Sequence, residues 1–262
     1  MTINMDTQSN SQSEALYDYL LRLGDSPLIL GQRLCEWCGH APALEEEIAI
    51  MNIGLDLIGQ CRNWLELAAK TADNGQDADK LAFTRDAHQY RNLLIVEQPN
   101  GNFADTMARQ YFYDAWHLFT LEALCNSNNR DIAEIAAKAV KEVRYHLRRS
   151  REWIIRLGDG TELSQQRMQQ AIDDIWMYTG EMFEMDDIEK TLVQEGCAAD
   201  QQQIKQRWLD EVAETLATAT INHPDPDAYM QQGGKQGVHT EGLGFILAEM
   251  QFLQRAYPNA TW

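Results

Sequence analysis

The sequence FADTMARQYFYDAWHLFTLEAL, residues 103–124, is the stretch that predicts the fold. Residues spaced alternately four and three positions apart recur along it, which places them on one face of a helix. These residues are Phe103, Met107, Gln110, Asp114, His117, Leu121 and Leu124. Because this face is mostly apolar, it predicts a helix packed into a bundle, with one carboxylate and one imidazole directed toward the core.

An acidic residue three positions before a histidine is half of the pattern found in carboxylate-bridged di-iron bundles. Such a bundle takes one Glu from each of two helices and a Glu-x-x-His pair from each of the other two. Leu57 and Val143 stand where the other helices should supply carboxylates, and neither side chain can bind iron. The sequence therefore predicts a degenerate site with no complete metal centre. Its positions are Leu57, Gln60, Asp114, His117, Val143 and His146.

The polar residues at these positions have a structural interpretation. We expect Asp114 and His117 to pair with a base or an arginine of a neighbouring helix, because buried charges require partners. Glu142, His146 and Arg149 form a row that can satisfy the buried histidine by charge and hydrogen bonds. The alternative is an unusual mononuclear metal site around Asp114, His117 and His146, with Glu142 as a further ligand.

The composition disfavours several classes of partner. The 262-residue chain has 40 Asp and Glu against 22 Lys and Arg, and its formal charge of −18 repels nucleic acid and anionic membrane surfaces. No apolar run approaches the roughly 20 residues needed to cross a bilayer, and residues 1–13 lack the pattern of a signal peptide. We therefore expect a cytoplasmic protein.

The cysteines and one short motif near them give only weak signals. The chain has five cysteines, an odd number that argues against a disulfide framework. Cys35 and Cys38 form a C-x-x-C pair typical of redox or zinc sites, but no second pair follows, so packed thiols are the preferred interpretation. Glu36 and His40 are four residues apart where a helix is predicted to end, which only weakly supports a ligand role.

The organisation of the chain predicts a single all-α domain. Residues 1–12 are polar and are predicted to form a mobile tail, followed by one helical domain over residues 13–262. Asp25, Ser26 and Pro27 have the pattern of a helix start, so we expect one helix to end before them and another to run to about Gly39. Further helices are predicted at about 43–72, 81–90, 103–124, 131–157, 163–184, 201–219 and 241–257.

The helix predicted at 43–72 is apolar on two faces, which is typical of a central helix or of a contact between subunits. We expect Trp64 and its face to serve one of these two uses. Asp56 is assigned to a polar stripe. The first apolar face contains Leu44, Ile48, Met51, Leu55, Ile58, Leu65 and Ala69, and the second contains Ile50, Ile53, Leu57, Trp64 and Leu67.

A glycine-rich loop near the carboxyl end is a candidate anion site. Its sequence is Gly-Gly-Lys-Gln-Gly at residues 233–237, in which backbone amides can approach a phosphate with Lys235 as the counter-charge. An ordinary turn is the commoner explanation of such a loop. Lys235 is accordingly a subsidiary candidate for contact with an anion.

Several segments together resemble a known family. They are RLCEWCGH at 33–40, NIGLDL at 52–57, VEQPNGNFADT at 96–106, EVRYHL at 142–147, HTE at 239–241 and LAEMQ at 247–251. In this order the chain resembles, from about residue 14 to its end, the C subunits of bacterial phenylacetyl-CoA 1,2-epoxidases, also called ring 1,2-phenylacetyl-CoA monooxygenases.

The resemblance implies an all-α, ferritin-like bundle with additional carboxy-terminal helices and a polypeptide that is not catalytic by itself. In that family the related A subunit holds the di-iron centre and binds phenylacetyl-CoA. The complex also contains a small B subunit and an NADPH-dependent reductase with flavin and an iron–sulfur cluster. This chain would hold no cofactor and would pair with the A subunit in aerobic phenylacetate catabolism. A contact between Lys235 and coenzyme A is a subsidiary prediction of the resemblance. A free-standing interaction module unrelated to oxygenation is a further alternative.

Overall fold

The computed structural model describes residues 3–258 and residue 260, with side chains described from residue 12 onward. The described part is all-α and contains no strand, which confirms the predicted all-α, ferritin-like class. The α-helices are α1 (Ile3–Cys35), α2 (Leu44–Ala72), α3 (Ala78–Phe83), α4 (Phe103–Leu124), α5 (Arg130–Gly158), α6 (Glu162–Trp176), α7 (Asp187–Gln194), α8 (Gln201–Thr218), α9 (Glu241–Met250) and α10 (Phe252–Ala256).

The core of the fold is formed by two helix pairs. Helix α1 packs along α2, α4 packs along α5, and contacts between α2 and α5 join the pairs. Helices α6 and α8 cover α4, so that every residue of α4 from Thr106 to Leu121 is buried. The start of α4 is fixed by a capping box, in which the side chains of Asn102 and Asp105 each accept a backbone hydrogen bond of the first turn. The burial of α4 places Asp114 at the centre of the bundle.

The predicted helix start at Pro27 is wrong, because α1 continues through this residue. Asp25 binds the guanidinium of Arg85 and accepts a hydrogen bond from the backbone N of Arg91 at 2.8 Å. Ser26 Oγ accepts one from the backbone N of Leu93 at 3.1 Å. Asp25 and Ser26 therefore fasten the middle of α1 to the segment after α3 instead of capping a new helix.

Three other helix predictions differ from the structure. The helix predicted over 81–90 is replaced by α3, which ends at Phe83, and by a separate 3-10 turn at Ala87–Gln89. The helix predicted over 163–184 ends at Trp176 and is followed by the separate helix α7, which was not predicted. The helix predicted over 241–257 is divided at Gln251 into α9 and α10. The buried side-chain amide of Gln251 donates hydrogen bonds to Arg85 O at 3.0 Å and Tyr90 Oη at 2.8 Å, so this division fastens the carboxyl end to the loop after α3.

The second apolar face of α2 packs inside the chain, with Trp64 fully buried. The first face behaves differently along its length, because Leu65 is buried whereas Leu44 and Leu55 are exposed. None of the described helices is both long and apolar enough to cross a membrane. The mobile tail over 1–12 and the single domain over 13–262 stay predictions. Residues 1 and 2 and the side chains of residues 3–11 lie outside the described part.

Candidate functional site

The six positions of the degenerate site lie on three helices and are all buried. They face one another because α5 contacts both α2 and α4. Helix α2 contributes Leu57 and Gln60, α4 contributes Asp114 and His117, and α5 contributes Val143 and His146. We call Asp114, His117, His146, Gln60 and Glu142 the bundle centre.

Asp114 is hydrogen-bonded to an amide and a hydroxyl. Gln110 Nε2 donates to its Oδ1 at 2.6 Å, and Ser150 Oγ of α5 donates to its Oδ2 at 2.9 Å. The expected direct pairing with a base or an arginine is therefore wrong. Burial raises the pKa of Asp114 to about 6, and the electrostatic interaction with His146 and the two hydrogen bonds oppose this rise.

His117 is buried and held neutral. Burial and, to a lesser extent, the electrostatic interaction with His146 lower its pKa to about 3. Its ring lies 5.0 Å from the ring of Tyr113, measured between centroids. The Nδ1 atom of His117 has no hydrogen-bond partner within the described part of the chain. His117 and Asp114 thus share a helix face without pairing with each other.

His146 finds its partner on α2. Its Nε2 lies 3.0 Å from Asp56 Oδ2, while its Nδ1 has no hydrogen-bond partner among the described residues. Asp56 was assigned to a polar stripe, so this contact was not predicted from the sequence. The available signal was that Asp56 lies four residues before Gln60, which places both side chains on one side of α2.

Glu142 and Arg149, the neighbours of His146 in the predicted row on α5, do not supply its hydrogen-bond partner. Gln60 Nε2 of α2 donates to Glu142 Oε2 at 2.9 Å. Arg149 binds Glu46 of α2, which also accepts from Trp153 Nε1 at 3.0 Å. Each polar member of the row is thus directed to a residue of α2, and these contacts fix the position of α5 against α2.

The residues present do not fit a pair of iron ions. The positions held by Leu57 and Val143 offer no donor atom, and the oxygens of Asp114 are already hydrogen-bonded. Within residues 3–258 and residue 260, no three or more His, Cys, Asp or Glu side chains are grouped so that they could hold a metal ion. The described residues of the bundle centre therefore do not form a ligand set for two iron ions.

Lys235 is buried and paired inside the chain. Its Nζ lies 3.1 Å from both oxygens of Glu189 and donates to the backbone O of Glu184 at 2.7 Å. The backbone amides of Gly233 and Gly234 donate to Glu181 Oε1 at 2.9 and 2.6 Å. The glycine-rich loop thus binds an anion, but this anion is a carboxylate of the chain itself. Contact with coenzyme A stays a prediction.

A second buried network was not recognised from the sequence. Glu97 Oε1 accepts from Asn92 Nδ2 at 2.8 Å and lies 2.6 Å from His239 Nδ1. Its Oε2 accepts from the backbone N and the hydroxyl of Thr240 at 2.8 and 2.6 Å. The segments 96–106 and 239–241, which carry the resemblance, therefore meet here. We call the buried carboxylates Glu97, Glu181 and Glu189 with their partners the loop junction.

The cysteines and the Glu36–His40 pair form no common site. Cys35 is half-buried, Cys38 is exposed and both thiols are free. Burial raises the pKa of Cys35, and the neighbouring thiol adds to this rise. Glu36 binds Arg33 at 2.9 Å, whereas His40 Nδ1 lies 3.0 Å from the backbone O of Cys38. Glu36 and His40 therefore have separate local partners.

Comparisons with known proteins agree with the resemblance seen in the sequence. A family model described as "Phenylacetic acid catabolic protein" matches residues 1–262. The chain is also similar to the C subunit of the 1,2-phenylacetyl-CoA epoxidase of Escherichia coli (strain K12). The two are 56% identical over 244 residues, which cover 93% of this chain and 98% of that protein. The family predicted from the quoted segments is thereby confirmed.

Proposed function

The chain belongs to the family of phenylacetic acid catabolic proteins, and we propose that it is the structural C subunit of a phenylacetyl-CoA 1,2-epoxidase. In this role it pairs with the catalytic A subunit of a multicomponent di-iron monooxygenase and stabilises it. Iron belongs to that partner, and flavin and an iron–sulfur cluster belong to the reductase. The complex also includes a small B subunit, and we place it in the cytoplasm.

The observation that carries this proposal is the state of the bundle centre. Its acids and bases bind Gln110, Ser150, Asp56 and Gln60, and hydrophobic side chains occupy the positions of two ligands. A catalytic di-iron polypeptide needs those positions for carboxylates. The fold of the oxygenase is therefore kept while the ligand set is not, which supports a structural role in the complex.

Co-expression with the A subunit tests the proposal. We expect the two chains to co-purify in a fixed ratio, with iron measured in the complex and little in this chain alone. We also expect ring epoxidation with the reductase only when the A subunit is present. Tight stoichiometric iron in the isolated chain, epoxidation without the A subunit, or failure to co-purify would each contradict the proposal.

A second candidate function is a ferritin-like metalloprotein with a mononuclear site around Asp114, His117 and His146. The observation in its favour is that the Nδ1 atoms of His117 and His146 both lack hydrogen-bond partners within the described residues. It requires Asp114 to exchange its present hydrogen bonds for a metal ion. Metal analysis of His146→Ala separates the two candidates, since only the second predicts that this variant loses bound metal.

A further inference from the structure

The exposed half of the first α2 face is an apolar ridge without a partner in the described chain. Leu44, Ile48 and Leu55 are 69%, 53% and 64% exposed, and Met51 between them is half-buried. Their spacing of four, three and four residues is the spacing of a coiled-coil seam. The same face is covered farther along the helix, where Ile58 and Leu65 lie against α1. The ridge is thus the part of the seam that α1 does not cover.

The ridge continues sideways onto α5. His146 binds Asp56, and Lys70 binds Asp131 at 2.8 Å, so the two helices lie side by side along most of their length. Tyr145, next to His146, is 41% exposed. Gly59 is exposed too, and a Cβ atom there would meet nothing within 4 Å, which leaves the surface flat beside the ridge.

The edge of this surface is basic, although the chain as a whole is strongly acidic. Lys138, Lys141 and Arg148 are exposed on the outer side of α5. The guanidinium of Arg148 lies over the ring of Tyr145, 5.5 Å from its centroid. None of the three basic residues forms an ion pair with a described residue, whereas Arg144 of the same helix pairs with Glu122.

We infer that this surface binds an amphipathic helix of the catalytic A subunit whose apolar seam is flanked by acidic side chains. We call the surface the docking face, and it consists of Leu44, Ile48, Met51, Leu55, Gly59 and Tyr145 with the basic edge of Lys138, Lys141 and Arg148. The inference rests on the proposed function and names the part of the chain that performs it. The ridge would supply buried apolar area, and the unpaired cations would orient the partner.

The charges favour this occupant over a second copy of the chain. A twofold axis brings the same patch of both chains together. An antiparallel pairing through the middle of the docking face would bring Lys138 and Arg148 of one chain toward Arg148 and Lys138 of the other. Like charges brought together oppose association. A partner with acidic residues on both sides of its seam has no such conflict.

The apolar part of the inference is tested with Ile48→Asp combined with Leu55→Asp. Both positions are exposed, so the isolated variant should unfold at the same temperature as the parent. We expect its affinity for the A subunit to fall at least ~10-fold, the size typical of losing central interface anchors. Phe245→Asp on α9 is the matched control, because Phe245 is 66% exposed but lies on another helix. This control should bind as the parent does.

The basic edge is tested with Lys141→Glu combined with Arg148→Glu. We expect weaker association and a smaller dependence of the association rate on salt. Arg167→Glu on α6 is the control, since Arg167 is also exposed and lies on another helix. Equal salt dependence in the edge variant and the parent would contradict the electrostatic part of the inference.

The outcomes separate this inference from the proposed function. If the parent chain binds the A subunit and both ridge and edge variants bind equally well, the docking face is wrong and the proposed function stands. If the parent does not bind at all, both are wrong. If the parent alone is a dimer that the ridge variant dissociates, while binding to the A subunit is unchanged, the face joins two copies and the inference is overturned.

Discussion

The bundle centre and the loop junction are both polar regions inside the fold, but the carboxylates of the junction are more completely hydrogen-bonded than the histidines of the centre. At the loop junction, both carboxylate oxygens of Glu97, Glu181 and Glu189 have partners. At the bundle centre, the Nδ1 atoms of His117 and His146 have none among the described residues. The carboxylates of the junction are therefore fully paired and connect separate segments of the chain, whereas two histidines of the centre each keep one ring nitrogen without a hydrogen bond.

This difference has a direct thermodynamic consequence. Removing one member of a fully paired buried ion pair leaves the other charge without compensation and costs ~3–5 kcal/mol. Replacing a buried polar group that already lacks a partner leaves nothing new unsatisfied, so its replacement by an apolar side chain of similar shape is close to neutral. Substitutions in the two regions should therefore differ widely in their effect on the free energy of unfolding.

The largest expected effect is that of Glu189→Gln at the loop junction. Glu189 is the only carboxylate within 4.0 Å of Lys235 Nζ among the described residues, and it also lies 3.4 Å from Arg22 Nη1. The variant should lose ~3–5 kcal/mol of unfolding free energy, since Lys235 stays buried without a carboxylate partner. Denaturant unfolding at neutral pH measures this loss.

Glu184→Gln is the control for this substitution. The side chain of Glu184 is exposed, and only its backbone oxygen contacts Lys235. The control should stay within ~0.5 kcal/mol of the parent, as surface substitutions usually do. A similarly small loss in Glu189→Gln would show that the loop junction is not the more stabilising of the two regions.

A smaller, pH-dependent effect is expected for Asp114→Asn at the bundle centre. The folded-state pKa of Asp114 is about 6, above that of an unfolded aspartate, so the folded parent binds this proton more tightly. This contribution to stability is present at low pH and is lost as the pH rises toward and through about 6. Asparagine does not titrate, so the stability of the variant does not fall in this way as the pH rises.

The measurement is the stability of the parent and Asp114→Asn across the window from pH 5 to pH 7. Relative to the parent, the variant should gain ~1 kcal/mol over this range, by proton linkage. The opposite trend is expected of His117, whose lowered pKa makes the fold lose stability as the pH falls below its unfolded value. Both parent and variant keep His117, so its contribution cancels in the difference. A pH-independent difference between the two chains would mean that Asp114 is not held near this pKa.

The sequence predicted those features that depend on local spacing. The periodic faces of residues 103–124 and 131–157 gave α4 and α5 nearly to their ends, because helical periodicity repeats within each segment. The same spacing placed Asp114 and His117 on one face. Confirmation of the family added what no single helix could show, namely that the bundle is of the ferritin-like class.

Features that depend on distant partners could not be read in this way. The helix passes through Pro27 because Asp25 and Ser26 bind residues about sixty positions away, including Arg85 and Leu93. Asp56 reaches His146 only through the register of α2 against α5. Spacing within one segment contains no information on that register, so the partners of buried polar groups were the least predictable part of the site.

The smallest expected effect is that of His117→Leu. It tests whether a histidine of the bundle centre contributes less to stability than the carboxylates of the loop junction. His117 is neutral and its Nδ1 has no partner among the described residues, so an apolar side chain leaves no new unsatisfied group. The free energy of unfolding at pH 7 should change by less than ~1 kcal/mol in either direction. Binding to the A subunit should also be unchanged, because His117 is buried inside the bundle. A loss as large as that of Glu189→Gln would mean that His117 has a bound partner in solution, and metal analysis of the parent chain would then show whether that partner is a metal ion.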